Sequence, residues 1–183
     1  MVDQGTGTSR EPGLMTGMFN DRESTEGAYQ SLRDRGYSDD EINVLMSDDT
    51  RKKYYGDNYT GDSEIGTKAA EGTAVGGAIG GTLGAIIGGI AAIGTNVLLP
   101  GLGLVVWGPI AAGLAGAGAG GLTGGLIGAL VGWGIPEENA KHYENGIREG
   151  GTVVGVTPRS SDDADYFENE WRDRYRGEYI NRV

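Results

Sequence analysis

The chain has 183 residues, 36 of which are glycine, and a formal net charge of −11. It contains no cysteine, which excludes disulfides, thiolate metal sites and cysteine nucleophiles. An acidic chain lacks the clustered Lys and Arg that bind phosphate backbones, so nucleic acid is not expected as a partner.

The N-terminal part is predicted to begin with a disordered tail and to continue into half of a small α/β domain. Residues 1–13 are polar and lack the apolar core of a signal peptide. Residues 14–68 then hold a predicted strand at 14–19 and a helix that starts at a capping box, with Asn20 as the cap and Glu23 three residues later.

That first helix is expected to run to about Arg35, with Gly36 as its C′ residue. Ala28 and Leu32 share its apolar face. A second strand is predicted at 42–46, and a β-α-β order favours a parallel pair. Residues 47–67 are rich in Asp, Gly, Asn and Tyr and are predicted to form a loop.

The central part of the chain has no charge. The 65 residues from Gly72 to Pro136 contain no Asp, Glu, Lys or Arg. Residues 69–134 are predicted to form a hairpin of two helices, at about 69–93 and 109–133. Residues 94–101 are predicted to form the turn of the hairpin. Residues 102–107 are apolar enough to lie at or in a membrane interface. A soluble helix normally carries charges on one face, and this stretch has none.

Glycines recur every fourth residue in both predicted helices. Residues four apart share a helix face, so each helix would carry a stripe without side chains that lets two backbones approach closely. The predicted helix-packing and oligomerisation residues are Gly72, Gly76, Gly80, Gly84, Gly88, Gly116, Gly120, Gly124, Gly128 and Gly132. Because each helical glycine costs about 0.8–1 kcal/mol relative to alanine, tight packing must compensate.

The charge-free segment could lie in three environments. Each helix is long enough to cross a hydrocarbon core. The segment could also be buried by self-association in water, or be a flexible linker, although linkers carry Ser and charge rather than Ile, Leu and Val. Flanking positive charges place both ends of a membrane hairpin in the cytoplasm. These charges are Arg51, Lys52, Lys53 and Lys68 before the hairpin and Lys141 and Arg148 after it.

Residues 135–158 are predicted to complete the α/β domain. Pro136 fits the first helical position, and Ala140, Tyr143 and Ile147 form an apolar stripe. A third strand follows at 152–156. The predicted fold class is α+β, a small split βαβ–αβ domain related to the ferredoxin-like fold, with helices on one face, interrupted by the glycine-zipper helical hairpin.

Residues 159–183 are predicted to form a C-terminal helix capped by Ser161 or Asp162. Its stripe of Ala164, Phe167 and Trp171 continues to Tyr175. This stripe could pack on the protein's own sheet or dock on a partner or membrane surface.

The sequence predicts no catalytic, cofactor-binding or metal site. The GxGxxG match at 116–121 lies in a glycine-rich region where such matches arise by chance, without the strand and acidic residue of a dinucleotide site. His142 is the only histidine, so a zinc site is not expected. The paired acids fit a solvated surface, and a small ligand-binding or enzymatic domain remains an open alternative.

Two motifs resemble the bacterial general stress protein 17M-like family, also called heat-induced stress proteins. The first is GYSDDEINVLMSD at 36–48, and the second is GIPEENAKHYE at 134–144 followed by Gly150 and Gly151. The glycine-rich insertion between them also fits the family layout, and the resemblance covers about residues 14–158. It implies a role in the general stress response and supplies no catalytic residues.

The sequence therefore predicts a non-enzymatic, self-assembling structural protein of the stress response. Its expected partners are other copies of itself and the lipid bilayer. Its expected location is the bacterial inner membrane with both termini in the cytoplasm. The alternative is a soluble cytoplasmic assembly, such as a ring, filament or shell, in which subunit contacts bury the hairpin.

Overall fold

The computed structural model describes residues 13–55, 97–99, 103–109, 111 and 125–183. They form an α+β fold with one six-stranded sheet. The strands are β1 Met15–Phe19, β2 Ile42–Ser47, β3 Val97–Leu99, β4 Leu104–Trp107, β5 Thr152–Val156 and β6 Glu178–Arg182, and the helices are α1 Arg22–Asp34, α2 Asp48–Tyr55, α3 Gly125–Gly132, α4 Glu137–Arg148 and α5 Ser161–Asp173. The sheet order is β3-β4-β2-β5-β1-β6, and every pairing is antiparallel.

The predicted pairing of the first two strands is wrong. β5 lies between β1 and β2 and pairs with both, Val154 facing Gly17 on one side and Val44 on the other. β1 and β2 are parallel to each other because both are antiparallel to β5. The central strand thus comes from the far side of the charge-free segment, so the two predicted halves form one sheet.

Helices cover both faces of this sheet, which corrects the expected single helical layer of a ferredoxin-like arrangement. Side chains alternate across a strand, so Val154 and Val156 of β5 join one core and Val153 joins the other. The first core includes α1, α2 and α5. The second core includes α3 and α4, and the stripe of Ala140, Tyr143 and Ile147 on α4 is buried there as predicted.

The segment predicted as a turn and interface contains two strands instead. β3 pairs with β4, and β4 continues the sheet by pairing with β2, where Leu45 faces Val106. The sequence of β4, LVVW, is short, apolar and β-branched, which suits a strand with both faces covered. Apolarity alone had not distinguished a sheet strand from an interfacial segment.

A helix also replaces the start of the predicted loop. The Ser47 hydroxyl accepts a hydrogen bond from the Thr50 N–H at 3.0 Å and caps α2. Asp48 in the first turn pairs with Lys52 at 2.6 Å, a spacing of four residues that supports a helix. The remainder of that predicted loop lies outside the described residues, as does the predicted helix at 69–93.

The predicted N-caps of α1, α4 and α5 differ from the observed ones by one or two residues. Asp21, rather than Asn20, caps α1 and accepts from Ser24 N–H at 2.7 Å. Ser160 caps α5 in place of Ser161 or Asp162. Pro136 is the cap of α4 rather than its first helical residue. Gly36 follows α1 with a φ of +86°, as a C′ glycine requires.

The C-terminal residues complete the domain. Ala164, Phe167 and Trp171 of α5 are buried, and Trp171 packs edge-on to Phe19 of β1 with ring centroids 5.5 Å apart. The stripe therefore packs on the protein's own sheet, which is one of the two locations predicted for it. The prediction of a helix alone for 159–183 is incomplete, because β6 follows α5 and pairs with β1.

Candidate self-association surface

α3 is the described part of the predicted second zipper helix. Its first described residue is Gly125, which has a φ of +61°. It ends where the N–H groups of Gly134 and Ile135 donate to the carbonyls of Val131 and Leu130 at 2.9 and 3.2 Å. Gly134 has a φ of +87°, the left-handed conformation that commonly terminates helices.

One face of α3 anchors the helix to the sheet. Leu126 and Leu130 are four residues apart and therefore share a face. Both are buried in the core formed with Leu45, Val106 and Ile135. The burial of two leucines, each contributing about 1.5–3 kcal/mol, holds this glycine-rich helix in place.

The opposite face of α3 is open. Gly128 and Gly132 are exposed, and Val131 between them retains 42% of its accessible surface. A Cβ atom built on either glycine has no described atom within 4 Å. We call the surface formed by Gly128, Val131 and Gly132 the α3 surface.

The α3 surface lacks the polar groups that normally face water on a helix. The sequence of α3, GLIGALVG, has no charged or hydrogen-bonding side chain. Charge resumes only in α4, where Glu137 and Lys141 pair at 2.7 Å and the lysine lowers the pKa of that carboxyl. The α3 surface can therefore contact lipid or another apolar surface, and it offers no chemistry to a reacting substrate.

The structure locates two of the ten predicted packing glycines. Gly128 and Gly132 lie together on the α3 surface. The other eight, from Gly72 to Gly124, lie outside the described residues. The sequence did not single out Val131, although its position three residues after Gly128 places it on the same helix face.

A second group of residues missed by sequence reasoning attaches the C-terminal region to α1 and β2. Tyr37 donates its hydroxyl proton to Asp163 at 2.8 Å and accepts from the Arg159 N–H at 2.8 Å. Arg159 also donates to Glu41 at 2.9 Å, and Arg35 donates to Asp163 at 2.8 Å. These contacts join segments more than 110 residues apart, so local sequence patterns could not reveal them.

The pKa values of this cluster favour its charged pairs. Hydrogen bonds from the Ser38 N–H and hydroxyl, followed by Arg159, lower the pKa of Glu41 to about 2. Burial opposes ionisation of Asp163, but bonds from Arg35 and Tyr37 still lower the pKa of that carboxyl. Burial raises the pKa of Tyr37 to about 12. Every group in the cluster has a structural partner, which indicates a clamp rather than a reactive centre.

Two open grooves also lie on the described part of the chain. One, of about 790 Å³, lies between the start of α1 and the residues Arg174 to Arg176. The other, of about 410 Å³, lies beside α2 and the end of α4. Within the described ranges, no group of three or more His, Asp or Glu side chains could hold a metal ion. His142 stacks on the Tyr179 ring, with centroids 4.1 Å apart.

Neither a family model, nor a curated protein, nor a solved structure matches this chain. The resemblance to general stress proteins stays a prediction that rests on the motifs at 36–48 and 134–151. The features of this chain that bear on its function are the α3 surface and the attachment of the charge-free segment to the sheet.

Proposed function

We propose that this protein is a structural, self-assembling protein of the bacterial stress response whose copies associate through the glycine-rich segment. The observation that carries the proposal is the α3 surface, a charge-free helix face with two glycines open to solvent. Glycines on a helix face allow two backbones to approach closely. The stress-response setting comes from the resemblance of the two motifs.

The glycine zipper extends this idea to the rest of the segment. The stripes from Gly72 to Gly88 and from Gly116 to Gly132 would supply further flat surfaces, either within one copy or between copies. Glycines in a helix exposed to water would cost about 0.8–1 kcal/mol each. Burial against a second backbone would explain why these positions are glycine, since a side chain would keep the two backbones apart.

The attachment of the segment to the sheet favours burial by protein over a membrane crossing. The described residues that flank residues 56–96, Tyr55 and Val97, belong to neighbouring elements, since α2 contacts β4 and β3 pairs with β4. Residues 112–124 are likewise flanked by two residues of the domain, Ala111, which is buried in the second core, and Gly125 of α3. A single crossing of about 30 Å would separate the two ends of either stretch.

Two crossings by either stretch are also difficult to accommodate. A pair of spanning helices needs about 40 apolar residues. The charge-free part of the first stretch, 72–96, has 25 residues, and the second stretch, 112–124, has 13.

Across the described parts of the chain, no helix has both the length and the apolarity to span a bilayer. Association with a membrane surface is the second candidate, and the 65-residue charge-free run is the observation that favours it.

The test is the mass of the full chain in detergent-free buffer, measured by size-exclusion chromatography with light scattering. We expect a discrete particle larger than the 19.1 kDa monomer. Val131→Glu places a charge in the centre of the α3 surface and should reduce the mass. Asn145→Glu adds the same charge at an exposed position of α4 and should leave the mass unchanged.

Flotation with phospholipid vesicles separates the two candidates. A soluble particle that does not float supports assembly through protein contacts. If the wild type floats with the vesicles and the Val131→Glu variant does not, the membrane candidate is supported. A wild-type chain that is monomeric without detergent and does not float contradicts both.

A further inference from the structure

The C-terminal strand β6 is held at the sheet edge by a strained connection. Between α5 and β6, Arg176 has a φ of +53°, and within β6 Tyr179 has a φ of +49°. Left-handed conformations are unfavourable for residues with a Cβ atom, particularly outside Asn and Asp. Of the described residues, these are the only non-glycine residues with positive φ.

The turn itself is tightly packed. Tyr175 lies against Gly27 of α1, where a Cβ would approach the tyrosine ring to 2.2 Å. Gly177 donates its N–H to the Trp171 carbonyl at 2.6 Å. The chain therefore reverses direction over Arg176 and Gly177, and the strain at Arg176 results from that short reversal.

The pairing of β6 with β1 is irregular but chemically specific. Three Cα pairs are formed, with a shift in register between Thr16 and Met18. The Val183 N–H donates to the Leu14 carbonyl at 3.0 Å. The Tyr143 hydroxyl donates to the Tyr179 carbonyl at 2.7 Å.

Further contacts of β6 are made by its side chains. Arg182 pairs with Asp165 at 2.8 Å and with Glu168 at 2.5 Å. Each contact joins β6 to a residue outside β6, so the β6 of another copy could make the same contacts.

We propose that β6 exchanges between copies. The β6 of one chain then pairs with the β1 of a second chain, and the β6 of the second chain pairs with the β1 of the first. The partner that the β1 edge fits is thus a second copy of this protein. An exchanged dimer keeps the native β6 contacts and lets Arg176 adopt an extended conformation. Strain in a short hinge is a recognised cause of such exchange.

Geometry and edge chemistry support this partner. Extension of residues 174–177 spans about 13 Å, which lets β6 move away from its own edge while it stays connected to α5. Without β6, the sheet would end at β1, an uncharged strand of sequence MTGMF. Such an edge readily accepts another strand, and β6 is the strand whose side chains already fit it.

The test uses cysteine pairs, because the natural chain has no cysteine. Thr16 and Asn181 are partners across the β1–β6 pair. Asn181 Nδ2 is buried without a hydrogen-bond partner among the described residues, so Asn181→Cys removes an unsatisfied donor. Full-length Thr16→Cys and Asn181→Cys chains are unfolded, refolded together, oxidised and separated on a non-reducing gel.

A disulfide-linked dimer of the two different chains is the expected result. Each single variant treated alone is the control for random oxidation. The chain with both substitutions shows whether the pair can form a disulfide. Leu14→Cys with Val183→Cys provides a second pair in case Thr16→Cys prevents folding, since the two residues are joined by the terminal backbone hydrogen bond.

Exchange is refuted if the double variants form disulfides only within one chain and the mixtures stay monomeric. It is also refuted if neither pair forms a disulfide within or between chains, because β6 would then not occupy the β1 edge. Arg176→Gly removes the strain in both hinges and should lower the dimer association constant roughly 30-fold. An unchanged yield would contradict the role of the hinge.

The exchange and the α3 surface can fail separately. Val131→Glu should leave the mixed disulfide unchanged, since Val131 is exposed on the face of α3 opposite the buried leucines. Detergent-free assembly that persists without the mixed disulfide would overturn the exchange and leave the proposed function in place.

Discussion

Gly128→Ala should change the stability of this protein in opposite directions at low and high protein concentration. In the isolated copy, a Cβ at Gly128 meets no described atom within 4 Å, and the residue lies inside α3. Replacing a helical glycine with alanine there should stabilise the fold by about 0.8–1 kcal/mol. For a chain of this length, that corresponds to an increase in Tm of roughly 2–4 °C.

In the assembly the same methyl group should be unfavourable. If the backbone of a second copy packs on Gly128, the Cβ must push the two backbones apart, at a cost of roughly 1–3 kcal/mol. Thermal unfolding by circular dichroism, measured from nanomolar to high micromolar protein, should show a higher Tm than the wild type when dilute and a lower Tm when concentrated.

Gly146→Ala is the matched control. Gly146 also lies inside a helix, α4, but its Cβ would approach the Met18 Cε atom to 2.6 Å within the same copy. The gain in helix propensity is then offset by crowding, so the variant should be neutral or destabilised by up to about 2 kcal/mol at every concentration. Stabilisation by Gly128→Ala that does not change with concentration would refute close packing at the α3 surface.

Three further predictions concern the C-terminal region and its clamp. Trp171→Ala should destabilise the fold by about 3–5 kcal/mol in urea titrations, because the indole is fully buried and an alanine leaves a cavity; a loss below about 1 kcal/mol would contradict its place in the core. Tyr37→Phe should cost about 1.5–3 kcal/mol by the same assay, since it removes the hydrogen bond to the Asp163 carboxylate, and an unchanged midpoint would show that the clamp contributes nothing. Glu41 has a pKa of about 2 in the folded chain against 4.5 for the free side chain, so its stabilising effect is complete above pH 4.5 and is lost as the pH falls toward 2. Glu41→Gln should flatten the stability profile across that range, and a profile parallel to that of the wild type would refute this role.

Local patterns in the sequence predicted much of the scaffold. The helices α1, α4 and α5 were predicted because apolar residues at helical spacing specify a buried face, as Ala140, Tyr143 and Ile147 show. β1, β2 and β5 were predicted because short apolar runs bounded by polar residues favour strands. The predicted capping positions of these helices were wrong, since neighbouring Asn, Asp and Ser residues can each cap a helix, and the residues that do so are Asp21 and Ser160.

The arrangement of these elements required the tertiary structure. The strand order depends on which edges meet in space, and no local pattern could place Val154 between Gly17 and Val44. β4 has the same apolar character as its neighbours in the charge-free segment, and only its hydrogen bonds to β2 make it a sheet strand. β6 was missed because its sequence, EYINR, is mostly polar and gains its strand conformation by pairing with β1.

The sequence by itself determined that this protein has a long charge-free segment with periodic glycines, because charge and spacing are properties of the chain alone. The tertiary structure decided where that segment is attached and which described glycines remain open, because those depend on contacts between distant residues. Leu126 and Leu130 turn toward the sheet, and that orientation leaves Gly128 and Gly132 facing outward.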